Sequence, residues 1–273
     1  MHSTWMITGI SRGLGRELAR TLLAAGATVV GTTRTGTADL AHERLRLLPL
    51  DVTDPEATPA AVARAVELTG GLDVVVNNAG FGLLGPIEAT SEAEALAILQ
   101  TNLLGPWRVI AAAAPHLRGR GAGHIVNVSS IAGLAPLGGS GVYAAAKAGL
   151  SALTEALAAE LAPFGVGVTS VEPGSLRTDF FSDASIRLTS AQPAAYADTV
   201  GAVVSTMTGR SGAEQGDPRK VAQLIIDAVN DPQPPRHLVI GSDALTRSRA
   251  NVAALLDDIR RWESRSAATG FSA

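Results

Sequence analysis

The sequence predicts one doubly wound α/β domain, a single parallel sheet covered by helices on both faces. Three observations predict it. Short runs rich in Val, Ile and Leu alternate with longer amphipathic stretches along the chain, the pattern of repeated βα units with right-handed crossovers. The run Leu72 to Val76 is dominated by Leu and Val, as a strand buried on both faces requires. The first run ends in a glycine-rich turn that opens a helix, and open parallel sheets bind ligands at such junctions.

The elements follow in order. Thr4-Trp5-Met6-Ile7 forms the first strand and leads into Thr8-Gly9-Ile10-Ser11-Arg12-Gly13-Leu14-Gly15, then an amphipathic helix through Ala25 that Gly26 is placed to end. Glycines let backbone N–H groups approach a pyrophosphate, which the positive end of the helix attracts; the alternative is an ordinary strand-to-helix turn. The second strand, Thr28 to Thr32, ends at Thr33-Arg34. An acid near this point accepts hydrogen bonds from ribose hydroxyls, whereas an arginine suits a 2′-phosphate. No acid occurs before Asp39, while Arg12 and Arg34 both fall within reach of an adenosine ribose, so NADP is expected over NAD.

The third strand, Leu45 to Leu50, delivers Asp51-Val52-Thr53, with a helical segment from Asp54-Pro55. Asp51 either caps that region or contacts an adenine. The fourth strand stops at Asn77-Asn78-Ala79-Gly80, where the amides pin adjacent loops, line a cofactor crevice or stabilise the turn. A helix from about Ser91 runs into Thr101-Asn102, and the strand Ile125 to Val128 ends at Ser129-Ser130. Next comes a helix carrying Tyr143-Ala144-Ala145-Ala146-Lys147, continued by Leu150, Leu153, Leu157 and Leu161. Four-residue spacing puts the phenol and the ammonium on one face, where the lysine is expected to lower the tyrosine pKa and make it a usable acid or base.

Val166 to Val171 forms a strand ending at Glu172-Pro173-Gly174. A helix from Asp217-Pro218 to about Asn230, a proline-rich turn and the strand His237 to Ile240 complete the sheet. A helical extension follows over about 242–265, with Val252, Leu255, Leu256, Ile259 and Trp262 on one face.

Composition limits what such a domain can do. Hydrophobic residues make up 46% of the 273 and charged residues 17%, with 29 glycines, which fits a compact enzyme and argues against disorder. The net charge of −3 provides no basic footprint for nucleic acid or an anionic membrane. With no cysteine, thiolate catalysis and disulfides are excluded, and the five scattered histidines lack ligand spacing, so no metal site is expected. Met1-His2-Ser3 shows no basic segment followed by an apolar core, and no run reaches the ~20 apolar residues of a membrane span; a cytoplasmic location is expected. No repeat or domain break interrupts residues 1–273.

Thr8-Gly9-x3-Gly13-x-Gly15, Asn77-Asn78-Ala79-Gly80, Asn102, Ser130, Tyr143-x3-Lys147 and Pro173-Gly174-x3-Thr178, in that order, resemble the motifs of the short-chain dehydrogenases/reductases. The resemblance implies a Rossmann-type fold and an NADP(H)-dependent oxidoreductase of carbonyl reductase type, interconverting a ketone and a secondary alcohol. Ser130 precedes Tyr143 by the family's usual separation, which selects it over Ser129 as the catalytic hydroxyl. By the same resemblance Tyr143 exchanges a proton with the substrate oxygen and Ser130 hydrogen-bonds that oxygen. Lys147 lowers the tyrosine pKa and holds the nicotinamide ribose, and Asn102 holds a water that links Lys147 to solvent.

The cofactor residues implied are Gly9, Ser11, Arg12, Gly13, Leu14 and Gly15 at the phosphates, Arg34 at the 2′-phosphate, and Asp51 and Val52 at the adenine. Asn78, Ala79 and Gly80 border the adenosine-side ribose or the strand edge, and Pro173, Gly174 and Thr178 orient the carboxamide; Asn77 is structural. Residues 179–216 correspond to the family's substrate lid, with Asp179-Phe180-Phe181, Ile186, Leu188, Tyr196, Val200, Val203, Val204 and Met207. Phe81, Leu83, Leu84, Leu134 and Leu137 are candidates for the facing wall. This composition suggests a bulky hydrophobic substrate or, equally, a lid packed on the core. A homo-oligomer, dimer or tetramer, is expected. A second class, a catalytically silent NADP-sensing regulator on the same fold, would bind cofactor without needing Tyr143.

Overall fold

The computed structural model describes residues 3–178, 185–209 and 214–271, the side chain of Thr208 aside. Asp179, Phe180 and Phe181 of the expected lid lie outside the described residues. In chain order the main elements are β1 (Thr4–Thr8), α1 (Gly13–Ala24), β2 (Thr28–Thr33), β3 (Leu45–Pro49), α2 (Ala57–Thr69), β4 (Val74–Asn77) and β5 (Gly82–Leu84). Then come α3 (Glu92–Leu99), α4 (Gly105–Arg120), β6 (Gly123–Val128), α5 (Ile131–Leu134), α6 (Gly141–Leu161) and β7 (Val166–Pro173). The last are β8 (Ile186–Leu188), α7 (Ala202–Thr208), α8 (Pro218–Asn230), β9 (His237–Ile240) and α9 (Ser242–Ala267).

Seven strands form one parallel sheet in the order β3-β2-β1-β4-β6-β7-β9. The chain starts at the centre, winds to one edge and returns to build the other, which makes the sheet doubly wound. Strand pleating explains how both faces are covered: successive residues point to opposite sides. Trp5 and Ile7 join one buried cluster with Leu18, Leu22 and Ile225 of α1 and α8. Met6 joins a second with Val62, Val109, Leu117 and Leu157 of α2, α4 and α6. Burying both faces is what the unbroken Val74-Val75-Val76 run accomplishes.

Two features were not anticipated. β5 and β8 form a separate two-stranded parallel sheet that ties the lid region to the loop after β4. Gln100–Leu104 is a π-helical turn between α3 and α4. The C-terminal extension, expected to be helical, is one continuous helix of 26 residues, Ser242–Ala267, and from Arg249 to Phe271 every residue is exposed.

Candidate active site

A cleft of about 940 Å³ opens along the carboxyl ends of the strands, at the upper end of the size range of small-molecule sites. One end is built by the glycine-rich turn. Asn78 Nδ2 donates to the Thr8 and Gly9 carbonyls, both at 2.9 Å. Thr8 Oγ1 in turn accepts from the Asn78 and Ala79 amides, both at 3.0 Å. The packing admits only glycine at two points: a Cβ at Gly15 would overlap Asn78 Nδ2 and the Gly9 carbonyl, and Gly9 has φ 75° with Ala79 against it. Asn78 ties the strand edge to the turn and also lines the cleft.

The first turn of α1 carries no capping side chain and no acid, so its N–H groups and dipole are available to an anion. Ser11, Arg12, Leu14 and Arg34 line this end of the cleft; Asp39 does not. Gly13 and Gly15 shape the turn without lining the cleft, and Gly13 packs under Thr178, with a Cβ there 3.7 Å from the threonine Cβ. The donor set and the close backbone approach fit a dinucleotide.

Asp51 and Val52 also line the cleft. Asp51 Oδ1 accepts from the Thr53 amide at 2.9 Å and hydroxyl at 2.7 Å, closing its own turn, while Asp54 accepts from the amides that open α2. Arg108, which no sequence motif marked, donates to the Val52 carbonyl at 3.4 Å and to Gln100 Oε1 at 2.8 Å, bracing this wall from α4.

At the other end the structure brings Ser130, Tyr143 and Lys147 together. Ser130 caps α5, its Oγ accepting from the Ala132 amide at 3.1 Å, and its side chain hydrogen-bonds the Tyr143 hydroxyl. Ser129 is occupied otherwise: it donates to the Lys147 carbonyl at 2.8 Å and accepts from Ser151 at 2.9 Å. Tyr143 and Lys147 are both buried on α6.

Their electrostatics correct the sequence reading. Burial pushes the Tyr143 phenol up to about 12, opposed by the bond from Ser130. Desolvation outweighs the nearby ammonium: Lys147 Nζ donates to the Val128 carbonyl at 2.7 Å and stands 6.0 Å from the centroid of the phenol ring. Burial in turn pulls Lys147 down to about 8. Helical spacing brought the two residues to one face, and the strand carbonyl decided where the ammonium points.

Asn102 is held by the loop after β4. It is fully buried in the π-helical turn and does not line the cleft. Its Oδ1 accepts from the Phe81 amide at 3.1 Å and its Nδ2 donates to the Phe81 carbonyl at 2.8 Å. The side chain therefore pins the loop after β4. Gly80 lies between it and the lysine: a Cβ there would stand 3.0 Å from Asn102 Oδ1 and 3.6 Å from Lys147 Nζ. Asn77, expected to be structural, donates to Asn127 Oδ1 at 2.8 Å inside the sheet.

Pro173, Gly174 and Thr178 line the cleft beside these groups. The loop is held by a residue the sequence did not single out. Asp243, in the first turn of α9, accepts from the Ser175 amide at 2.9 Å, and its carboxylate occupies the space a Cβ on Gly174 would need. Of the expected apolar walls, Phe81, Leu84, Leu137, Ile186 and Met207 line the cleft. Leu83 and Leu134 pack into neighbouring clusters, and Val200 and Val204 hold the lid region against Leu84. Arg187 and Arg247 also line the cleft and were not foreseen.

Comparison with known proteins agrees with this arrangement. A family model described as short chain dehydrogenase matches residues 3–188. Oxidoreductase BOA17 of Botryotinia fuckeliana is 34% identical over 275 residues, covering 98% of this chain and all of that protein. A short-chain dehydrogenase from Streptomyces avermitilis superposes with TM-score 0.93 at 36% identity, covering 98% of both chains. One from Burkholderia cenocepacia, solved in complex with NADP, superposes with TM-score 0.74 at 25% identity over 95% of this chain and 97% of that one. A family match over more than half the chain, together with a fold shared with solved members, establishes that the chain belongs to the short-chain dehydrogenase family of oxidoreductases.

Proposed function

We propose that this protein is an NADP(H)-dependent oxidoreductase that interconverts a ketone and a secondary alcohol on a bulky, largely hydrophobic substrate. The observation that carries the proposal is the convergence of Ser130, Tyr143 and Lys147 at one end of a cleft whose other end offers an uncapped helix N-terminus, Arg12 and Arg34. Arg34 and Arg12 would hold the 2′-phosphate, the Gly9–Gly15 turn the pyrophosphate, and the Pro173–Thr178 loop the carboxamide. When bound, NADPH supplies the hydride.

The chain's own groups account for the proton. Burial keeps the Tyr143 phenol protonated near neutral pH, the form that donates to a carbonyl oxygen, so the site suits reduction. The Ser130 hydroxyl, already bonded to the phenol, stabilises negative charge developing on the same oxygen. Lys147, buried one helical turn from the phenol, supplies positive charge as the phenol gives up its proton. The test is NADPH consumption with a panel of hydrophobic ketones. Wild type is expected to turn over, with Tyr143→Phe losing at least ~10² in kcat while binding NADPH normally. Absence of turnover across the panel, or full activity in Tyr143→Phe, refutes the reading.

Assembly belongs to the same proposal. Val252, Leu255, Leu256, Ile259 and Trp262 recur along one stripe of α9 and remain 44–57% exposed. Spacing by three and four suits a helix pair with a second copy of the chain, so a homo-oligomer built on α9 is proposed. No helix among the described residues is long and apolar enough to cross a membrane, and a cytoplasmic location completes the proposal.

A further inference from the structure

Two arginines of the cleft, Arg187 on β8 and Arg247 on α9, have no part in the scheme above. Their placement is specific. The Arg187 guanidinium lies 4.4 Å from the centroid of the Phe81 ring, and Phe81 follows Gly80, which borders Lys147 Nζ. Stacking uses the flat face of a guanidinium and leaves its N–H edge to bond elsewhere. Arg247 Nη2 donates to the carbonyl of Ala135, the residue that ends the short helix begun by Ser130. Each arginine is thus one short segment away from a catalytic group.

Neither is neutralised by a paired acid. Among the described residues no carboxylate lies within 4 Å of either guanidinium. The nearest acid in sequence to Arg247, Asp243, is committed to the Ser175 amide. The phosphates of a dinucleotide have their own donors at the glycine-rich end. Leu84, Leu137, Ile186 and Met207 supply the apolar lining of the same cleft.

Resting on the reaction proposed above, we infer that the substrate is an amphipathic keto acid, whose apolar body packs on these aliphatic side chains while Arg187 and Arg247 select its carboxylate. An arginine fork matches a carboxylate in shape and charge. The two side chains are specificity determinants, and the chemistry stays with Ser130 and Tyr143.

The test compares 4-acetylbenzoate with its uncharged amide, 4-acetylbenzamide, as substrates of the full-length protein with NADPH. A parallel arm titrates 4-isopropylbenzoate, which carries no ketone, into the protein saturated with NADP. Wild type is expected to favour the acid by at least about tenfold in kcat/KM. That ratio is expected to fall toward one in Arg187→Gln and in Arg247→Gln, which retains a donor for the Ala135 carbonyl. Binding of 4-isopropylbenzoate is expected to weaken about tenfold in each variant. Turnover of the amide as good as that of the acid in wild type overturns the keto-acid inference and leaves the reductase reading standing. Failure of both ketones while 4-isopropylbenzoate binds in an arginine-dependent way supports the carboxylate site and refutes the reaction. Failure of both with no such binding overturns the two together.

Discussion

Lys147 is a buried ammonium whose observed hydrogen-bond acceptor is a backbone carbonyl, so replacing it with methionine is expected to make the protein more stable and inactive. Burial lowers its pKa from 10.5 to about 8, and the gap between those values is worth about 3 kcal/mol against folding wherever the lysine is charged in both states. Methionine of similar length removes that penalty but leaves the Val128 carbonyl without its donor, at a cost of about 1 kcal/mol. The net gain at pH 7 is about 2 kcal/mol, roughly 4–8 °C in Tm for a chain of this size. The sign fixes a pH dependence. Because the folded pKa lies below the unfolded one, the folded lysine loses its proton first on alkalinisation. Wild-type stability therefore rises relative to the variant between about pH 8 and 10.5, and the advantage of Lys147→Met disappears over that window. Urea melts of both proteins at pH 7, 9 and 10.5 read this directly. A variant less stable at pH 7, or a difference that stays constant from pH 8 to 10.5, would refute the claim that the site holds a desolvated charge.

Other outcomes follow from the same geometry. Arg34→Ala is expected to lower the NADP-over-NAD preference in kcat/KM by roughly one to two orders of magnitude, the worth of a charge-assisted contact of ~1.5–3 kcal/mol; an unchanged ratio would remove Arg34 from the 2′-phosphate. Leu255→Asp combined with Ile259→Asp on the exposed stripe of α9 is expected to shift light-scattering mass from oligomer to monomer while changing stability by no more than about 0.5 kcal/mol per site. Equal masses for wild type and variant would move the assembly surface elsewhere.

The sheet was legible because its signals are local. Unbroken Val runs and the strand-to-helix turn at Gly9–Gly15 report burial and backbone path without help from distant residues. The convergence of Ser130, Tyr143 and Lys147 on one cleft was legible through motif spacing. What escaped depends on tertiary contact. The strands Gly82–Leu84 and Ile186–Leu188 span three residues each, too few for periodicity to register. The direction of the Lys147 ammonium depends on a carbonyl 19 residues away in sequence, and the side-chain hydrogen bonds of Asn102 on a loop 21 residues away. Asp243 and Arg247 reach the site from a helix whose exposed apolar stripe drew attention to its far half. Spacing announces which residues share a face; it is silent on which polar group each one finds there.

The most direct measurement of the central claim follows deuterium. Protein incubated with NADPH deuterated at the transferable position and a hydrophobic ketone is expected to yield a secondary alcohol carrying the label on its carbinol carbon, from one face, with Tyr143→Phe forming almost none. Alcohol formed without the label, or labelled equally well by Tyr143→Phe, would contradict a reductase built on Ser130, Tyr143 and Lys147.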